Sequence, residues 1–238
     1  MGIINALIAI GISILIQPFL NLINLISQLF FENHVSSTIF NLTYLPLWLL
    51  LILVAVLPAI NEEIVTRGIL LSNYKNVGLV KAALISGLYF GMLHLNGNQF
   101  SYAFVMGTIL FMLVKITNSI YSSMIVHFMI NGLQVSLAKL YILFQHNFNL
   151  PDYTQNMPKV TSATIFTYLP SMLILTFITL PIVYLLFYAS VKHNKKENLF
   201  CKVPTDSLEV VQPKIFDIYL ILSIILFIAY VTVNEIMI

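Results

Sequence analysis

The chain has 238 residues, of which 59% are hydrophobic and only 8% charged, with a formal net charge of +2. A mean hydropathy of +0.94 excludes a water-soluble globular domain of this length, and no basic tract interleaved with aromatics points to a nucleic-acid partner. The single cysteine, Cys201, excludes a disulfide within the chain and argues against thiol-metal chemistry.

Apolar segments run from about Ile3 to Phe30, Tyr44 to Leu71, Val77 to Leu95, Phe100 to Val114, Ser119 to Phe144, Ile165 to Ser190 and Phe216 to Ile238. Each lies near the roughly 20 residues needed to cross a bilayer. The first carries no Lys or Arg ahead of it and no small-residue cleavage pattern, so it is expected to stay as a helix rather than leave as a signal peptide. It is interrupted by Gln17, Pro18, Asn21 and Asn24, and the second segment contains Pro58, so either one can break in two. The expected fold is an all-α polytopic transmembrane bundle of about seven to eight helices. It forms one integral-membrane domain over residues 1–238, with a motif-bearing core at 45–134.

Lysine placement orients this bundle, because Lys and Arg favour cytoplasmic loops. With seven spans and a cytoplasmic N-terminus, Lys75, Lys81, Lys115, Lys192, Lys195, Lys196, Lys202 and Lys214 all fall inside. Only Lys159 falls outside, with Lys139 near a helix end where its ammonium can snorkel. The stretch KHNKKENLFCKVPTDSLEVVQPK, from Lys192 to Lys214, is expected to be a solvated cytoplasmic connector.

Within the second segment stands NEEIVTRG, Asn61 to Gly68. A charge at mid-bilayer costs at least roughly 2.5 to 3.5 kcal/mol, so such residues face the bundle interior and mark function by default. Glu63 and Arg67 are four apart in the acid-first order that favours an ion pair on one helical face. Arg67 is the only arginine in the chain, and its planar fork suits a buried carboxylate. Glu62 points about 100° away around the helix and has no cation four residues ahead, which leaves it free for chemistry. Pro58 lacks a backbone N–H, so it should bend the helix and release the carbonyl of Val54. A purely structural ion pair is the alternative for this motif taken alone.

Two further helical faces carry polar groups. In SGLYFGMLHLNGN, Phe90 and His94 are one turn apart, and Gly87 and Gly91 form a GxxxG pair that lets another helix approach. His94 is therefore expected to point inward. In SSMIVHFMINGLQ, Ser123, His127, Asn131 and Gln134 make a polar stripe of the kind that lines a wet cavity or binds a neighbouring helix. At 1.5 Å per residue, Glu62, His127 and His94 lie roughly 16, 12 and 24 Å from the cytoplasmic ends, a depth that permits one shared cavity. His34, His146 and His193 fall in or beside expected loops and are given no role.

A carboxylate with a histidine can deprotonate water, and histidine and asparagine side chains can donate to the oxyanion formed on a peptide carbonyl. The sequence has no G-x-S-x-G elbow and no HExxH. It resembles the CPBP intramembrane proteases, which include CAAX prenyl endopeptidases and bacterial proteins linked to bacteriocin processing and self-immunity. The family's EExxxR, FxxxH and HxxxN motifs read Glu62 to Arg67, Phe90 to His94 and His127 to Asn131, complete and in order, from about Leu45 to Gln134. The resemblance implies that Glu62 and His94 activate water, His127 and Asn131 hold the oxyanion, and Glu63 and Arg67 support them. It also leaves open a metalloprotease in which Glu62, His94 and His127 hold zinc; the metal-free version is favoured here.

The expected partner is a membrane-associated peptide or protein, lipidated or hydrophobic, within the lipid bilayer. By analogy, the expected setting is a bacterial cytoplasmic membrane. Two competing readings remain: a non-catalytic peptide-binding immunity protein, and an ion- or proton-coupled transporter, against which stands the lack of an inverted repeat.

Overall fold

Each of the seven apolar segments contains a helix in the computed structural model, which describes residues 1–69, 78–148, 160–200 and 218–237. The first span holds α1 (Ile3–Leu15) and α2 (Gln17–Ser27), which break at Ile16 where Pro18 enters the first turn of α2. A short α3 (His34–Leu42) follows. The second span runs Leu47–Ile69 and contains α4 (Leu47–Leu50) and α5 (Leu57–Glu63). Then come α6 (Leu79–Met92), α7 (Gly97–Thr117), α8 (Ile120–Phe148), α9 (Ser162–His193) and α10 (Ile218–Met237). Six of these helical stretches are long and apolar enough to cross a membrane, and α6 is a shorter apolar helix. The protein is therefore an integral membrane protein. Lys75, Lys159, Cys201, Lys202 and Lys214 lie outside the described residues, as does the side chain of His146.

Pro58 leaves its mark on the second span. With no N–H to return to Val54, the preceding turns widen to π geometry over Leu51–Val56, and a second π stretch covers Ile64–Ile69. Expectation and structure agree that this helix is irregular around its carboxylates.

Hydrogen bonds between distant segments fix which helix ends share a side. Asn5 and Asn194 exchange amide bonds of 2.9 Å each way, so the start of α1 lies beside the end of α9. At the other side, the Asn98 amide donates to Ser27 Oγ at 2.6 Å, joining the start of α7 to the end of α2. Lys139 Nζ donates to the carbonyls of Thr43 and Leu45 at 2.5 and 3.0 Å, joining the far half of α8 to the chain that follows α3. The bundle thus has an Asn5 side and a His34 side, and its helices alternate between them.

Close packing of α6 on α7 positions the histidine-bearing helix. A Cβ on Gly87 would run into the hydroxyl of Thr108 and the carbonyl of Phe104, and one on Gly107 would meet Phe90 and the Gly87 backbone. The GxxxG expectation therefore holds at Gly87, and α7 answers with a glycine of its own. The core above this contact is apolar, built on Ile12, Leu20, Phe90, Leu110, Val126 and Ile130. In α9 and α10 large apolar side chains such as Phe177 and Leu226 face outward, as a lipid-facing surface requires.

The helix α3 departs from the sequence expectation, which read this region as a loop. Asn33 caps it by accepting from the Ser36 N–H at 3.1 Å. Val35, Ile39 and Leu42 then recur at helical spacing on the side that faces the cavity described below. No residue of α3 is fully buried, so at nine residues it was too short and too polar to register as a span.

Candidate active site

The second span supplies two adjacent carboxylates in different environments. Glu63 is fully buried and Glu62 keeps 32% of its side chain accessible. Arg67 Nη1 donates to Glu63 Oε1 at 2.9 Å and to Thr66 Oγ1 at 2.6 Å, while Nη2 donates to the Gly107 carbonyl at 2.7 Å. Its guanidinium also lies 4.5 Å from the centre of the Phe90 ring. The expected Glu63–Arg67 pair is present, and it ties the span to α7.

Glu63 serves a second partner. His127 Nδ1 lies 3.1 Å from the same Oε1 atom. Because Arg67 holds Glu63 as a carboxylate, which only accepts, Nδ1 of His127 must be the donor. On the other side of the cavity, His94 Nδ1 sits 2.8 Å from the Phe90 carbonyl, an obligate acceptor, so that nitrogen also carries the proton. The Nε2 atoms of both rings remain for the cavity.

Those two Nε2 atoms face Glu62. Its Oε2 lies 3.8 Å from His94 Nε2 and 4.0 Å from His127 Nε2, and makes no hydrogen bond within the described residues. Phe90 spaces the two rings, with centroids 5.1 Å from His94 and 5.5 Å from His127 in edge-on contact. Asn131 reaches the cavity one turn beyond His127, and its amide donates to the Val54 carbonyl at 3.1 Å. That is the carbonyl Pro58 releases. The convergence expected from helix depth is therefore observed for Glu62, His94 and His127, and Asn131 lines the same cavity.

His94 arrives by an unusual backbone path. After Met92 the chain tightens, with His94 N–H donating to Gly91 O and Leu95 N–H to Met92 O, both at 3.2 Å. Leu95 then takes φ 50°, a left-handed conformation rare for a branched side chain. The Asn96 side chain caps α7 by accepting from Gln99 N–H at 2.8 Å.

The cavity holds about 400 Å³. Glu62 and His127 form its floor, and His34, Thr38, Asn96, Gln99 and Tyr102 line its sides. A neighbouring cavity of about 330 Å³ shares Val35, Ile39, Tyr102 and Gln134 with it. The sequence reading missed His34, Asn96, Gln99 and Tyr102. The N-cap asparagines at 33 and 96 were the available signal, because each opens a helix whose first turns bring those residues to the cavity. His193 lies at the opposite end of the bundle, on the Asn5 side.

Among the described residues no three His, Cys, Asp or Glu side chains are grouped closely enough to hold a metal ion. Glu62, His94 and His127 are not grouped in that way.

Residues 43–133 match the family model for type II CAAX prenyl endopeptidases, Rce1-like. The match bears out the family resemblance. It spans less than half the chain but contains all three motifs, and the family is one of proteases. No curated protein and no solved structure matches the chain.

Proposed function

We propose that the protein is an intramembrane endopeptidase that hydrolyses membrane-associated peptides with a water activated by Glu62 and His94. The observation that carries this reading is Glu62 Oε2, unpaired at the cavity floor and faced at 3.8 and 4.0 Å by two ring nitrogens. Those gaps are too long for direct hydrogen bonds and suit a bridging water. A water at about 2.8 Å from both Glu62 Oε2 and His94 Nε2 donates to each and turns an oxygen lone pair towards a carbonyl carbon. Attack moves its proton to the Glu62–His94 pair, which returns it to the departing amine.

His127 and Asn131 stabilise the oxyanion. His127 already donates Nδ1–H to Glu63, so it donates from Nε2 only as an imidazolium. The charges of Glu62, Glu63, Arg67 and imidazolium His127 then sum to zero, which suits a cluster inside a bilayer. Asn131 has one amide hydrogen beyond the one given to Val54. Glu63 and Arg67 act as positioning residues. The family match supports the reaction class, with CAAX-type processing or bacteriocin processing and self-immunity as its settings. The whole chain acts as one membrane domain, in a bacterial cytoplasmic membrane with the N-terminus inside.

The test compares peptides released by membranes carrying the wild-type protein with those carrying Glu62→Gln. Products are expected to fall at least about 100-fold with the variant still folded, because glutamine keeps the shape of the side chain and Glu62 Oε2 makes no hydrogen bond among the described residues. Identical peptide profiles, with the host phenotype intact, would move the reading to non-catalytic peptide binding.

A further inference from the structure

The distribution of lysines, combined with the sides fixed by hydrogen bonding, assigns the cavity an orientation. The Asn5–Asn194 pair places the end of α9 beside the start of α1. The short turn between α6 and α7 lies on the His34 side, since Asn98 bonds Ser27 there, so the start of α6 and the end of α7 return to the Asn5 side. Lys81, Lys115, Lys192, Lys195 and Lys196 therefore all lie at Asn5-side helix ends. On the His34 side the described residues hold one lysine, Lys139, whose ammonium is bonded to the Thr43 and Leu45 carbonyls. Lysine and arginine in short loops set membrane orientation, so the Asn5 side is cytoplasmic.

The cavity faces the other way. From Glu62 and His127 its walls run towards His34, Asn96 and Gln99, with α3 along one side; none of the lining residues belongs to an Asn5-side helix end. We propose that the cavity opens on the non-cytoplasmic face of the membrane, so that its substrates are peptide segments exported across or arriving from that side. The orientation stands on lysine placement and hydrogen bonds alone, while the word substrate rests on the protease reading. Of the two settings of the protease reading, this opening selects bacteriocin processing and self-immunity, because a lipid-modified peptide made and processed at the cytoplasmic surface would not reach it.

The test uses the chain's single cysteine to advantage. In a full-length Cys201→Ser background, Thr38→Cys marks an exposed position on the cavity's wall at the His34 side and His193→Cys marks the opposite side. A membrane-impermeant maleimide applied to intact cells is expected to label Thr38→Cys at least tenfold more than His193→Cys, with the two equal after permeabilisation. Protection of Thr38→Cys until permeabilisation, or labelling of His193→Cys in intact cells, overturns the proposal. Adding Glu62→Ala to both variants separates the two readings. Unchanged labelling with cleavage products lost upholds both, whereas unchanged labelling with unchanged products upholds the orientation and sinks the protease.

Discussion

Glu63 offers a test in which stability and catalysis come apart. Its Oε1 accepts from Arg67 at 2.9 Å and from His127 at 3.1 Å. In Glu63→Ala, Arg67 stays buried without its counter-ion, a change that costs about 3 to 5 kcal/mol. Arg67 retains the Thr66 hydroxyl at 2.6 Å, the Gly107 carbonyl at 2.7 Å and the face of Phe90, so the lower end applies. About 3 kcal/mol corresponds to roughly 6 to 12 °C in Tm for a chain of this size. Replacing both partners, in Glu63→Leu with Arg67→Met, removes the orphaned charge and should return the Tm to within a few degrees of wild type. Activity should not return, because His127 has still lost the acceptor that orients its ring. Cleavage in the double variant is expected to stay at least about 100-fold down in kcat with KM little changed. A single variant that melts with wild type, or a double variant that cleaves at the wild-type rate, would refute the shared-carboxylate argument.

Gly87→Val drives a Cβ into the Thr108 hydroxyl and the Phe104 carbonyl, and should lower stability by about 1 to 3 kcal/mol in a detergent melt, whereas Gly78→Val, with nothing near its Cβ among the described residues, should not. Leu95→Gly relieves a left-handed φ of 50° at a half-exposed position, and should raise the Tm by the equivalent of about 1 kcal/mol; a lower Tm would show that the Leu95 side chain matters more than its backbone. Incubation with a chelator should leave peptide cleavage unchanged, and loss of activity that zinc restores would reverse the metal-free reading.

The spans, the ion pair and the convergent residues were legible because each rests on periodicity or on the cost of a charge in lipid, both of which are local and strong. Glu63 and Arg67 could be paired from a spacing of four, and His94 could be turned inward from Gly87. Two things were not legible. α3 has no fully buried residue, so its amphipathic pattern of Val35, Ile39 and Leu42 is too brief to compete with a loop reading. The bond from His127 to Glu63 joins residues 64 positions apart, and no local pattern reports which of two adjacent carboxylates a distant histidine will meet. Sequence spacing pairs Glu63 with Arg67 and gives both a supporting role, whereas in the structure Glu63 also accepts from His127 Nδ1 and orients that ring.

Between these cases lies Pro58, whose consequence was half visible. A proline inside a span releases the carbonyl four residues before it, and in a bilayer a released carbonyl needs another donor because lipid offers none. Here the donor is the Asn131 amide at 3.1 Å. One missing N–H thus links three features: the π turns ahead of α5, the packing of α8 against that widened stretch, and the bond that holds the Asn131 amide at the cavity wall. Pro58→Ala restores the N–H and lets Val54 take its normal helical partner. Asn131 then loses its anchor while remaining chemically intact. The expected result is a Tm equal to or above wild type with cleavage reduced about tenfold or more, since removal of an oxyanion-hole donor costs about 10² to 10³ in kcat and misplacement only part of it. A Pro58→Ala variant with full activity would show that Asn131 does not depend on Val54 for its position.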